Sequence, residues 1–159
     1  MPAVTAHHLP VLQNALERNR KLLERFADGI DARTARTPLY ADGSHLQWLL
    51  GHLVSSRDAL LRAAGGDPVW TKERAAPYTR GSTADVTPDD APVDLLALLA
   101  TQQERVATLF ARLGDDDLAR PQSGTTLGEW LEFLTWHEGY HVGQAVLYRR
   151  GAGLASTIG

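Results

Sequence analysis

Apolar residues recur at the three- and four-residue spacing of a helix in four separate stretches of this chain, and nowhere do they alternate as in a half-buried strand. The first stretch covers about residues 5–27, where Leu9, Leu12, Leu16, Leu22, Leu23 and Phe26 form the periodic set and Asp28-Gly29 closes it. Pro10 is a candidate true start, and the intervening charges, such as Glu17, Arg18, Arg20 and Lys21, read as a solvated face. The second covers about 44–64. It is expected to open on a capping box of Ser44 with Gln47, to carry Leu46, Leu49, Leu50, Leu53, Leu60 and Leu61, and to stop at Gly65-Gly66. The third, about 93–113, begins beside Pro92, carries Leu95, Leu98, Leu99, Val106, Leu109 and Phe110, and ends at Gly114 and three aspartates. The fourth, about 126–150, opens on a capping box of Thr126 with Glu129 and runs through Trp130, Leu134, His137, His141, Gln144 and Tyr148 to Gly151.

Between the second and third stretches, residues 65–92 hold Pro68, Pro77, Pro88 and Pro92 with Gly65, Gly66 and Gly81, which predicts a long irregular connection. Trp70 and Tyr78 within it are candidates to cover the opening of a cavity. Four helices of roughly 20 to 25 residues predict an all-α four-helix bundle in a single domain over residues 1–159. The short links favour antiparallel neighbours, whereas a long crossover between helices 2 and 3 lets those two run parallel.

Composition narrows the function classes. A net charge of −3 gives no electrostatic case for nucleic acid. The absence of cysteine removes disulfides, thiolate metal sites and a cysteine nucleophile together, so any thiol chemistry needs an external thiol. No leader-like or membrane-length apolar run occurs, and a cytoplasmic protein with no membrane partner is expected.

Chemistry concentrates in His137-Glu138-Gly139-Tyr140-His141. Four helical positions turn the chain by roughly 400°, so His137 and His141 share a face about 6 Å apart, which suits one metal ion. The pentapeptide also fits the H-E-x-x-H pattern of zinc peptidases, in which the glutamate is the general base. Those enzymes take a third ligand from downstream, yet the 18 residues after His141 contain no His, Asp or Glu. With no predicted sheet to align a substrate chain, the peptidase reading ranks third.

A third ligand must then come from upstream, and His52 is the best candidate. It lies mid-way along helix 2 on a stripe with His45, Trp48, Leu49 and Ser56, and should point inward. A lone inward histidine is more often a hydrogen-bonded core residue than a ligand; three at matched depth favour the ligand reading, because adjacent buried imidazoles without partners are costly.

The segments Trp48-Leu49-Leu50-Gly51-His52-Leu53 and Trp136-His137-Glu138-Gly139-Tyr140-His141-Val142-Gly143-Gln144 resemble those of the DinB-like superfamily, which includes YfiT-like metal-dependent hydrolases and thiol transferases. The helix order and the long middle connection are similar to that family as well. The resemblance implies an up-down-down-up bundle with one divalent metal, zinc or nickel before iron or manganese, bound by His52, His137 and His141. It also implies a small-molecule substrate, a low-molecular-weight thiol as a co-substrate in some relatives, and homodimerisation in some.

Three imidazoles leave a coordination position open, the mark of a catalytic rather than a structural site. A divalent ion there can lower the pKa of bound water or hold an external thiol as thiolate. Glu138, about 100° around the helix from His137, is read either as a base toward metal-bound solvent or as a solvated or orienting carboxylate. Gln144 reads as a support, His45 as a surface histidine near a helix start, and His7 and His8 as exposed. Trp48, Trp130, Trp136 and Tyr140 read as core or pocket walls. The leading expectation is therefore a metal-dependent thiol transferase or hydrolase, and the alternative is a non-catalytic, stress-associated metal-binding bundle.

Overall fold

A computed structural model describes residues 3–41, 43–82 and 90–156. Four long helices form where the periodicity predicts them: α1 (Leu9–Ala27), α2 (Leu46–Ala63), α4 (Pro92–Phe110) and α6 (Leu127–Gly151). Two single-turn helices, α3 (Lys72–Ala75) and α5 (Asp115–Leu118), a hairpin of β1 (Pro121–Gln122) with β2 (Thr125–Thr126), and 3-10 turns at Ala6–His8, Thr34–Arg36 and Ala76–Tyr78 complete the described elements.

Two buried clusters give the helix directions. At one end Leu9 and Leu16 of α1 meet Leu60 and Leu61 of α2, Leu109 and Phe110 of α4, and Leu127 and Leu131 of α6. At the other, Leu23 and Phe26 meet Leu46 and Leu49, Leu95 and Leu99, and Val142 and Ala145. The starts of α1 and α6 thus share an end with the finishes of α2 and α4, which is the up-down-down-up order. Helix α1 packs on α4 and α6, and α2 on the same two, so α2 and α6 are neighbours along one edge.

Local chemistry sets the helix starts. Thr126 Oγ1 accepts from the Glu129 backbone N–H while the Glu129 carboxylate reaches back to the Thr126 backbone, closing the expected capping box of α6. The start of α2 differs from expectation. His45 is its N-cap, with Nδ1 accepting from the Trp48 backbone N–H at 3.1 Å, and is 7% exposed rather than a surface histidine. Ser44 instead pairs with the Tyr148 hydroxyl of α6 at 2.9 Å. The hairpin was not anticipated, because two-residue strands carry no period. Its turn has positive φ at Ser123 and Gly124, the backbone of a tight hairpin connection.

The connection after α2 is also more ordered than expected, although 83–89 lie outside the described residues. Asp58, fully buried on α2, accepts from the backbone N–H groups of Val69 and Trp70 at 2.7 and 2.9 Å and from the Gln102 amide of α4. A turn of helix, α3, and a 3-10 turn at Ala76–Tyr78 follow. Trp70 and Tyr78 are consequently core residues, stacked 5.3 Å apart, and not covers over an opening.

Next to Asp58, Arg57 is buried in the centre of the bundle. Its guanidinium donates to the backbone carbonyls of Leu16 on α1 and Leu99 on α4, and to Gln103 Oε1.

Candidate metal centre

Helices α2 and α6 bring His52, His137 and His141 together at their shared edge, with one nitrogen of each within 4.8 Å of the others. The Nε2 atoms converge: His52 to His137 is 3.3 Å and His141 to His137 is 3.0 Å. Nitrogens about 2.0–2.1 Å from a shared ion at tetrahedral or right angles to one another are separated by roughly 2.9–3.4 Å, and both separations from His137 fall in that range.

The outer ring atoms decide the protonation. His52 Nδ1 lies 2.8 Å from the Tyr78 carbonyl oxygen, which can only accept, so Nδ1 carries the proton and Nε2 presents its lone pair. His141 Nδ1 lies 2.6 Å from Gln144 Oε1, an acceptor, while the Gln144 amide nitrogen donates to the Tyr140 hydroxyl; in this amide orientation His141 takes the same tautomer. His137 Nδ1 is buried with no hydrogen-bond partner. A proton on His137 Nε2 can serve one neighbour only, leaving another pair of lone pairs face to face. A cation between the three nitrogens resolves that conflict, and the donor set fits a borderline divalent ion.

Electrostatics agree. Burial holds His141 down to about 4, with His52 and His137 lowering it further against the Gln144 hydrogen bond and the Glu138 charge. Burial lowers His52 against the Tyr78 carbonyl, and burial with the nearby His52 lowers His137. The imidazoles are thus neutral at pH 7, the form that ligates metal.

Aromatic rings frame the cluster. Trp48 stacks on His52 with centroids 4.9 Å apart and planes 6° from parallel, and its Nε1–H donates to the Pro77 carbonyl. On α6, Phe133 stacks on His137 at 6.0 Å and Tyr140 meets His141 edge-on at 5.1 Å. Trp136 and Tyr140 were expected in the core or a pocket wall; neither is in the core, being 63% and 55% exposed, and Tyr140 borders the cluster through its contact with His141. They sit on the outward side of α6, since a helix turned to bury Glu138 and Val142 carries them about 160° away from its buried face.

Glu138, read either as a base toward metal-bound solvent or as a solvated or orienting carboxylate, is turned away from solvent. It is 1% exposed, and both its oxygens accept from the Arg57 guanidinium, so the carboxylate is committed to the bundle interior. This pair escaped the sequence reading, although a signal existed. Arg57 sits four residues after Leu53 and Glu138 four after Leu134 and four before Val142, so each charge lies on a core stripe and needs a buried counter-charge. The Tyr78 carbonyl has no such signal, because any residue carries one.

No curated protein matches the chain in sequence. Among solved structures, the chain is similar to YfiT from Bacillus subtilis, described as a probable metal-dependent hydrolase with an unusual four-helix bundle topology. The identity is 18%, covering 98% of this chain and 93% of that one, with a TM-score of 0.72. It is similar also to a conserved protein from Enterococcus faecalis at 20% identity, covering 89% and 95%, with a TM-score of 0.69. Among the described residues no helix is long and apolar enough to cross a membrane. A sequence profile of the DinB superfamily matches residues 15–145, and the chain belongs to that superfamily.

Proposed function

We propose that this chain is a divalent-metal-dependent enzyme acting on a small molecule, with His52, His137 and His141 as the metal ligands and either water or a low-molecular-weight thiol as the activated nucleophile. One observation carries the reading: three Nε2 atoms converge while hydrogen bonds at Nδ1 reserve the lone pairs of two of them. A divalent ion held by three imidazoles supplies an open coordination position that acidifies water or a thiol. Imidazole ligands suit zinc and nickel, as the family resemblance implies, and iron as well, with manganese the poorest match.

The side chains around the ion orient and shield. The Tyr78 carbonyl and Gln144 hold the His52 and His141 rings in one tautomer, and Trp48 covers one face of His52. Glu138 braces the ligand helix through Arg57 instead of moving protons. The lack of cysteine favours an external thiol over a covalent enzyme intermediate at sulfur. The commitment of Glu138 to Arg57 favours a second reading, a bundle that binds metal without turnover.

The test begins with elemental analysis of untagged protein; no zinc, nickel, iron or manganese above background removes the basis of the proposal. Thiols are then screened against epoxide, maleyl and halogenated electrophiles, beside ester and amide hydrolysis. Activity lost in His52→Ala, His137→Ala and His141→Ala requires the enzyme. Stoichiometric metal with no turnover in any assay supports the binding protein.

A further inference from the structure

We infer that Tyr78 is a positioning residue for the metal centre, held as a clip by Gly51 and Asp90, so that the affinity of the His52 ligand is set from the connection between α2 and α4. The inference rests on the metal reading of the three histidines and concerns what aligns one of them.

The clip has three contacts. The Tyr78 carbonyl accepts a hydrogen bond from His52 Nδ1–H, N to O 2.8 Å, which directs the Nε2 lone pair toward His137. The Tyr78 ring lies flush on the α2 backbone at Gly51: a Cβ there would fall 2.2 Å from Cδ1 and Cε1 of the ring. That approach admits no side chain larger than hydrogen, which gives the glycine preceding His52 a physical purpose. At the far end the Tyr78 hydroxyl donates to Asp90 Oδ2, just ahead of α4.

Neighbours lock the arrangement. Arg74 pairs with the other Asp90 oxygen and lies 4.9 Å over the Trp70 ring, and Trp70 stacks on Tyr78. The Trp48 indole, stacked on His52, donates to the carbonyl of Pro77, the residue before Tyr78. The two stacked rings of α2 are therefore tied to two consecutive carbonyls, Trp48 to that of Pro77 and His52 to that of Tyr78. A carbonyl so held does for His52 what Gln144 does for His141, and loss of such outer partners typically costs about 10–100-fold in metal affinity.

The experiment compares wild type, Gly51→Ala and Tyr78→Phe on metal-free full-length protein reloaded with zinc or nickel. Affinity is read by competition with a chromophoric chelator, and the His52 tautomer by long-range 15N–1H correlation. In wild type we expect His52 as the Nδ1–H tautomer and a single tight site. Gly51→Ala should displace the ring, mix the tautomers and weaken metal about 10–100-fold. Tyr78→Phe keeps the ring and its packing but frees the far end, and should weaken metal by about 10-fold with partial loss of the Nδ1–H signature. If Gly51→Ala does not fold, Tyr78→Phe decides alone. Wild-type affinity and an unmixed tautomer in Tyr78→Phe would overturn the clip while leaving the metal site standing. A wild type that binds neither ion overturns the metal reading and the clip with it.

Discussion

Arg57 and Glu138, 81 residues apart in the chain, meet as a two-pronged ion pair inside the bundle, Nε to Oε2 at 2.7 Å and Nη2 to Oε1 at 2.8 Å. Their side chains are 1% and 2% exposed, so neither charge has water as an alternative partner.

Glu138→Gln should accordingly lower stability by about 3–5 kcal/mol, because it leaves a guanidinium buried without its counter-charge. Metal affinity should change far less than in a ligand variant. Chemical denaturation and metal titration of the same preparation check this; unchanged stability with abolished turnover would restore Glu138 as a base.

His52→Ala and His141→Ala should weaken metal binding to a similar degree, by more than about 100-fold, beyond the range expected for an outer partner such as Gln144 in Gln144→Ala. Competition titrations rank the three. Unchanged affinity in His52→Ala would mean that the third ligand is another residue.

The metal-free protein should lose stability as the pH falls from about 6.5 toward about 4. All three imidazoles sit below the ordinary 6.5 in the folded state, His141 near 4, so the unfolded chain takes up protons in that window that the folded chain does not. Stability from this source is complete above 6.5 and lost on acidification. The melting midpoint should drop by roughly 5 °C or more between pH 7 and pH 5, and by less in His141→Asn. Equal drops in the two proteins would count against the shifts.

Nickel titration should quench tryptophan fluorescence mainly through Trp48, whose ring stacks directly on His52, whereas Trp70 is set back in the core. Trp48→Phe should remove the larger part of the quench while nickel still binds. Full quenching in that variant would place the ion elsewhere.

Much of this arrangement was legible in one dimension. The four helices rest on Leu spacing and on caps such as Thr126 with Glu129, and both signals are local. His137 and His141 are four apart on one helix, and His52 is the best upstream candidate from its depth and its inward stripe on α2, the family resemblance supporting all three. What stayed hidden depends on partners far away in sequence. Ser44 looked like a cap until Tyr148, 104 residues on, claimed its hydroxyl, and His45 capped α2 in its stead. Trp70 and Tyr78 looked like loop aromatics because nothing local reveals that Asp58 pulls the connection inward through two backbone N–H groups. Trp136 and Tyr140 face outward because the buried Glu138 sets the rotation of α6, a consequence of Arg57 on another helix.

The Arg57 guanidinium has one further consequence, for how the chain assembles. Its donors are satisfied by Leu16 of α1, by Leu99 and Gln103 of α4 and by Glu138 of α6, so it finds its full set of acceptors only when all four long helices are in place. Any partial assembly that dries the centre strands a charge there, and one that stays wet forgoes the apolar burial. Subsets of two or three helices are disfavoured on both counts, and the bundle is expected to form and melt as one cooperative unit.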